Sequence, residues 1–319
     1  MTHIVAAPYS ANMLLTALAA VTVLIQLFFV PLVLLPQAAV FAIVAVLLLA
    51  LGTPLNRALL HEAIHGRLAR RRNWNDIFGR TLAVSSGVAF DAMRFGHLAH
   101  HRFPRHELDR ADVIEPGKSA VVSWVSFYAG LLGWIHFREI LACAIMLLPH
   151  RAILSVTERI LPKDDSIPVL RAAIRRSLNR RLWRIRTDLF LVALLYAGAF
   201  YLYGPWWPIL IAGIALRALI VSVQDNVAHY GTPAVRGAPA HNSVASRWLS
   251  LFTLNANLHG VHHDRPELPW NVLPDALEGT GNGYAGNYVA LVLRQFRGPR
   301  RSFAALRAVA QDGTPAYHA

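Results

Sequence analysis

Cysteine is almost missing from this chain: Cys143 is the only one in 319 residues. A single thiol excludes an internal disulfide and any iron–sulfur cluster held by cysteines of this chain. Charge is scarce as well, at 15% of residues, with 18 Asp and Glu against 31 Lys and Arg. Ordinary soluble domains carry about 25% charged residues. With 55% hydrophobic residues and a mean hydropathy of +0.39, the balance is that of a membrane protein. No basic leader region precedes the first apolar stretch, so that stretch is expected to stay as a helix instead of being cleaved.

The formal charge of +13 raises nucleic acid as a partner, but its placement argues against one. Arginines crowd between the apolar stretches, as at Arg67, Arg70, Arg71, Arg72 and Arg80. A second group holds Arg171, Arg175, Arg176, Arg180, Arg181, Arg184 and Arg186. This is the cytoplasmic-loop bias of an inner membrane protein, reinforced by attraction to anionic headgroups.

Long apolar stretches give the fold class. Transmembrane helices are expected at about 12–35 and 38–60, separated by an uncharged join at Pro36, and again at 186–203 and 207–224 around Gly204 and Pro205. Each pair makes a hairpin, and about 20 residues at 1.5 Å each cross a hydrocarbon core of about 30 Å. Tyr201, Tyr203, Trp206 and Trp207 read as an interfacial aromatic belt. Residues 121–149 are apolar but contain His136, Arg138 and Glu139. If the histidine groups described below meet on one side, this segment crosses twice or not at all. A re-entrant or interfacial helical pair is expected there. The reading is an all-α integral membrane protein of one domain, 1–319, with four core transmembrane helices in two hairpins. A cytoplasmic helical cap of residues 61–118, 150–185 and 225–319 carries the chemistry.

That chemistry lies in histidines. His61 and His65 form H-x-x-x-H; His97, His100 and His101 form H-x-x-H-H; His259, His262 and His263 repeat it. These spacings put each group on one helix face. With 15 histidines in 319 residues, chance supplies about 0.03 copies of H-x-x-H-H, so two copies point to selection. His229 stands apart, four residues after Asp225, and the two are expected on one helix face at the membrane boundary. A carboxylate there is costly unless paired or ligating, and Arg217 is a rival partner for it. Asp91, Glu107, Asp109, Asp112 and Asp264 are near enough to orient imidazoles, although loop carboxylates are ordinarily solvated.

A lone histidine is ordinarily a hydrogen-bonded core or surface residue. Taken alone, His61-Glu62-Ala63-Ile64-His65 also matches the zinc-hydrolase motif H-E-x-x-H, with Glu62 as general base. That reading needs one zinc and four ligands, and leaves the other clustered histidines without a task. A third reading is a non-catalytic lipid-binding or metal-sensing protein; nine retained histidines argue against it. Nitrogen-rich sites suit iron, and so much imidazole suits two redox metals.

At this point the sequence resembles the membrane fatty acid desaturase family. The resemblance rests on HEAIH at 61–65, GHLAHH at 96–101 and NLHGVHH at 257–263, in that order around two helix pairs. DNVAHYGTP at 225–233 and HHDRPELPWNVLP at 262–274 are similar to the bacterial members, and the match in organisation runs from about 12 to 275. It implies a mushroom-like helical fold with two iron ions on the cytoplasmic side, O₂ as co-substrate and a fatty acyl or membrane-lipid substrate. It also implies a separate electron donor: ferredoxin, rubredoxin or a b-type cytochrome with its reductase. The ligands it implies are His61, His65, His97, His100, His101, His259, His262 and His263, with His229 as the extra histidine. In the animal stearoyl enzymes an Asn four residues before that histidine reaches iron through water; here Asp225 stands there, a candidate tenth ligand. Three residues separate the histidines of the first box, as in acyl-lipid desaturases, where acyl-CoA enzymes have four. Desaturation is the expected reaction, with hydroxylation, ketone formation and alkene-forming decarboxylation as the superfamily alternatives.

Overall fold

Apolar helices interrupted at particular residues define the architecture. The protein, seen as a computed structural model, is described over residues 7–161, 167–234, 240–280 and 283–301. The chain is mostly helical, and among the described residues four helical stretches are long and apolar enough to cross a membrane: Tyr9–Leu34, Ala39–Ile64, Ala120–Ile145 and Pro168–Val227. The first joins α1 (Tyr9–Leu24) to a π-wound segment, Ile25–Leu34, that contains Pro31. Proline lacks an N–H and its ring crowds the preceding turn, and a wider register accommodates both defects. The second stretch joins α2 (Ala39–Ala50) to α3 (Thr53–Ile64), with a proline in the first turn of α3 where no N–H is missed.

The third stretch is broken. α6 (Ala120–Ala129) and α7 (Ile135–Ile145) flank non-helical backbone at Leu132 and Gly133. Gly133 has φ 120°, which a residue with a Cβ rarely adopts. The fourth stretch holds α9 (Ile167–Tyr203), a short turn at Gly204–Trp206, and α10 (Trp207–Val227). Their outer faces are apolar: Leu14, Leu48, Val121 and Phe190 are 72%, 61%, 73% and 66% exposed. Contiguous apolar surface of this kind is unfavourable in water and natural in lipid.

Several expectations change in detail. The span expected at 38–60 runs on to Ile64, carrying His61 within the helix. The arm expected at 186–203 is the second half of a 37-residue helix. Tyr203 does not join an aromatic belt: it is buried, and its hydroxyl donates to the Gln26 carbonyl at 2.7 Å. Tyr201, Trp206 and Trp207 are exposed as expected. Residues 121–149 are helical on both sides of a break, in a stretch, Ala120–Ile145, that is itself long and apolar enough to cross a membrane, and Arg57 and His136 both bond Glu139.

The chain divides into two compact units, residues 1–99 with 136–220, and residues 100–135 with 221–319. In the first, Val23, Leu27, Val30, Ala42, Val46 and Leu210 are among the residues of the core between the apolar helices. α4 (Arg72–Ser85) and the start of α5 (Phe90–Arg102) belong to it, as does the amphipathic α8 (His150–Ile160). The second unit gathers α11 (Arg247–Phe252), α12 (His259–Asp264), α13 (Leu273–Thr280) and α14 (Tyr288–Gln295). Its two-residue strands β1 (Val113–Ile114) and β2 (Arg300–Arg301) pair in parallel. The first six residues and the last eighteen of the expected domain lie outside the described residues.

Candidate metal centre

In the first unit, the C-terminal end of α3 presents the first histidine box. Carbonyls at a helix end lack intrahelical partners and need donors from elsewhere. Asn75 Nδ2 donates to the Ala63 carbonyl at 2.9 Å, and Arg94 Nε to the Ile64 carbonyl at 3.1 Å. Asn12 of α1 donates to the carbonyls of Arg67 and Leu68, both at 3.2 Å, fixing the chain just beyond the box. Asp76 binds Arg94 at 3.0 Å; burial alone would raise its pKa, but Arg94 and Arg184 outweigh that and lower it. With both helices fixed, His61, His65 and His97 come together. Nε2 of His65 lies 2.9 Å from Nε2 of His97, and the His61 ring centroid is 4.8 and 4.6 Å from theirs. Burial, with repulsion from Arg94 and Arg67, pushes His65 down to about pKa 4, so it is neutral and able to ligate.

The second unit holds the other six histidines. One ring nitrogen from each of His100, His229, His259 and His263 lies within 4.8 Å of the others. The Nε2 atoms of His100 and His263 are 3.0 Å apart, and those of His263 and His259 are 3.1 Å apart. His101 and His262 bring Nε2 to Nε2 at 3.1 Å. Metal–nitrogen bonds of about 2.1 Å meeting near right angles put neighbouring nitrogens about 3.0 Å apart, so these spacings match imidazoles sharing an ion. His229 makes the stronger case. It is buried, and neither ring nitrogen has a hydrogen-bond partner among the described residues. An imidazole desolvated that way is unfavourable unless something else takes its lone pair. Burial, then the neighbouring histidines, hold His229 and His263 well below the usual imidazole pKa, which keeps them neutral.

One carboxylate stands behind this quartet. Asp109 places both oxygens 2.8 Å from Nδ1 of His100. Nδ1 is then the protonated nitrogen, and Nε2 keeps its lone pair toward the cluster. Of the five carboxylates singled out from sequence, Asp109 is hydrogen-bonded to a boxed histidine. Asp91 is buried among Arg181 and Arg184, Asp112 pairs with Arg105 and accepts from the Gly231 amide at 2.8 Å, and Glu107 and Asp264 are exposed.

The expectation for Asp225 and His229 needs correction. α10 ends at Val227, so His229 sits in the following turn and the two do not share a helix face. The turn is held by Thr232 Oγ1 donating to the His229 carbonyl at 2.9 Å, and by Arg105 Nη2 donating to the Thr232 carbonyl at 3.2 Å. Asp225 belongs to neither histidine cluster, and its charge raises the pKa of Tyr288 beyond the effect of burial. Arg217 donates to the Ser85 carbonyl at 3.0 Å and to the Tyr196 hydroxyl at 3.4 Å.

Clustered histidines able to hold metal, in a chain with four helical stretches long and apolar enough to cross a bilayer among its described residues, define a metal-binding membrane protein. Residues 37–292 match the family model described as fatty acid desaturase, and that stretch contains all nine boxed and partnering histidines. The chain belongs to the fatty acid desaturase family: it is an integral membrane, di-iron oxidoreductase acting on fatty acyl chains. No curated protein matches the chain.

Proposed function

We propose that this protein introduces a double bond into the acyl chain of a membrane lipid. His100, His229, His259 and His263 hold one iron, and His61, His65, His97, His101 and His262 are the further iron ligands. The observation that carries this reading is the buried quartet with the unpartnered ring nitrogens of His229. Asp225 is left out of the proposed direct ligands because neither cluster includes it. Iron bound there supplies the oxidising power to remove hydrogen from an unactivated C–H bond. The overall reaction balances as –CH₂–CH₂– with O₂, two electrons and two protons giving –CH=CH– and two waters.

The chain's own residues have three tasks. Asp109 fixes the His100 ring and its tautomer. Burial and arginine charge keep His65 neutral for ligation. Apolar helix faces such as those of Leu48 and Phe190 keep the protein in the bilayer where the acyl chain resides. With one cysteine in the chain, electrons come from a separate protein: ferredoxin, rubredoxin or a b-type cytochrome with its reductase. The arginine-rich segments favour a bacterial inner membrane with the site facing the cytoplasm.

The experiment pairs iron and zinc content of the purified protein with fatty acid profiles of expressing cells. About two irons per chain and a new double bond, both lost in His100→Ala, are expected. Hydroxylated, oxidised or shortened products would transfer the chain to a sister reaction. One zinc, no iron and full activity in His262→Ala would restore the hydrolase reading.

A further inference from the structure

The seven arginines between 171 and 186 do not act alike. Arg181 and Arg184 turn inward to Asp91, and Arg184 also reaches Asp76 at 3.3 Å. Arg171 binds Glu158 at 2.7 Å, with Arg175 at 3.8 Å from the same carboxylate. Arg186 donates to the carbonyls of Met146 and Leu148. Arg176 and Arg180 are exposed and make no hydrogen bond or ion pair among the described residues.

Their place on α9 says what they face. Arg176, Arg180, Trp183, Thr187, Phe190 and Leu194 follow at intervals of four and three, so they form one stripe along the helix. All six are exposed, with Trp183, Phe190 and Leu194 at 68%, 66% and 62%. The stripe therefore passes from guanidinium through indole to hydrocarbon in the order of a membrane boundary. At 1.5 Å per residue, the two arginines stand about 5 and 10 Å beyond Trp183, at headgroup depth. The surrounding sequence is strongly basic: residues 150–186 hold ten arginines and lysines against three carboxylates.

We propose that Arg176 and Arg180 form a binding site for the phosphodiester of an anionic phospholipid, beside the point where α9 enters the bilayer. A guanidinium offers forked donors to two phosphate oxygens, and Trp183 below it packs on the upper acyl chain and glycerol. The membrane placement it needs rests on the apolar helices and not on the metal centre, so this site and the iron assignment stand or fall separately.

The test uses full-length protein in bilayers of equal phosphatidylglycerol and phosphatidylcholine, followed by detergent extraction and mass spectrometry of the retained lipid. The protein should retain phosphatidylglycerol preferentially, and added salt should weaken the preference. In Arg176→Gln/Arg180→Gln it should fall by a factor of about five per arginine. A melting temperature equal to the parent's certifies the variant's fold; should the fold fail, the salt dependence of the parent decides alone. Equal retention of the two lipids, a salt-independent preference or an unchanged preference in the double variant overturns the proposal. Slower reduction of the double variant by an acidic ferredoxin, with lipid retention unchanged, also overturns it and reassigns the stripe to an acidic protein.

Discussion

His100 and Asp109 are joined by a hydrogen bond in which both carboxylate oxygens lie 2.8 Å from Nδ1. Asp109 is itself fixed, accepting from the Arg105 backbone amide at 3.1 Å while its own amide donates to the His106 carbonyl at 2.7 Å. Removing such a carboxylate typically costs about 10–100-fold in metal affinity. Asp109→Ala should therefore bind one iron more weakly and leave the other in place, whereas Asp109→Asn, which still accepts from Nδ1–H, should keep both. Iron per chain measured against a chelator series checks this. Simultaneous loss of both irons would mean that Asp109 acts on the whole fold instead.

Arg105 and Asp112 hold the turn that carries His229. Their side chains are 1% and 2% exposed, with Nη1 to Oδ1 at 2.7 Å, and Arg105 also donates to the carbonyls of Thr232 and Pro233. Breaking a buried pair by removing one partner strands the other charge, at about 3–5 kcal/mol. Arg105→Ala should lower the melting temperature and the iron content together. An apolar double replacement at 105 and 112 should recover part of the melting temperature, because no stranded charge remains. A melting temperature for Arg105→Ala equal to the parent's would contradict the role given to this pair.

Acidification should act through the histidines. In the unfolded chain they titrate near 6.5, while His65 is held at about 4 and His229 and His263 well below normal, chiefly by burial. A depressed pKa means that the unfolded state binds more protons as pH falls between the two values. Stability is thus full above about 6.5 and declines as pH drops toward 4. The iron-free protein should melt at progressively lower temperature from pH 7 to pH 4.5, and the loaded protein should release iron over the same range. A melting temperature that is flat across that range would refute the buried, neutral state of these rings.

Much of the site was legible because metal-ligand spacing and helix period are the same arithmetic. HEAIH, GHLAHH and NLHGVHH announce themselves through i, i+3 and i+4. What spacing cannot show is how a box divides. His97 meets His65, whereas His100 and His101, three and four residues later, meet His263 and His262. Those partners are decided by tertiary packing. Asp109 was one of five plausible carboxylates, and only the short helical turn at Glu107–Asp109 distinguishes it. Gly231 and Pro233 signal that α10 stops nearby, but neither Val227 nor Ala228 stops a helix, so the sequence did not show that His229 lies already past the end. Tyr203 misled because an aromatic at a hairpin turn reads as interfacial, while the Gln26 carbonyl inside the bundle claims its hydroxyl.

Gly260, inside the third box, should tolerate no side chain. A Cβ there would lie 2.6 Å from the Ala240 carbonyl oxygen and 2.8 Å from Oδ1 of Asn242. Asn242 cannot easily move aside, because its Oδ1 accepts from the Val261 amide at 3.0 Å and it pairs with Leu258 across an isolated bridge. The main-chain oxygen has still less freedom, so α12 itself must shift, taking His259, His262 and His263 with it. Overpacking of this kind costs about 1–3 kcal/mol. Gly260→Ala should accordingly lose activity and iron more steeply than melting temperature, since ligation depends on sub-ångström placement and folding does not. Gly279→Ala, where no described atom beyond its chain neighbours and its own helix backbone lies within 4 Å of the added carbon, is the matched control and should behave as the parent. Full iron content and activity in Gly260→Ala would show that the third box is not held as tightly as this packing implies.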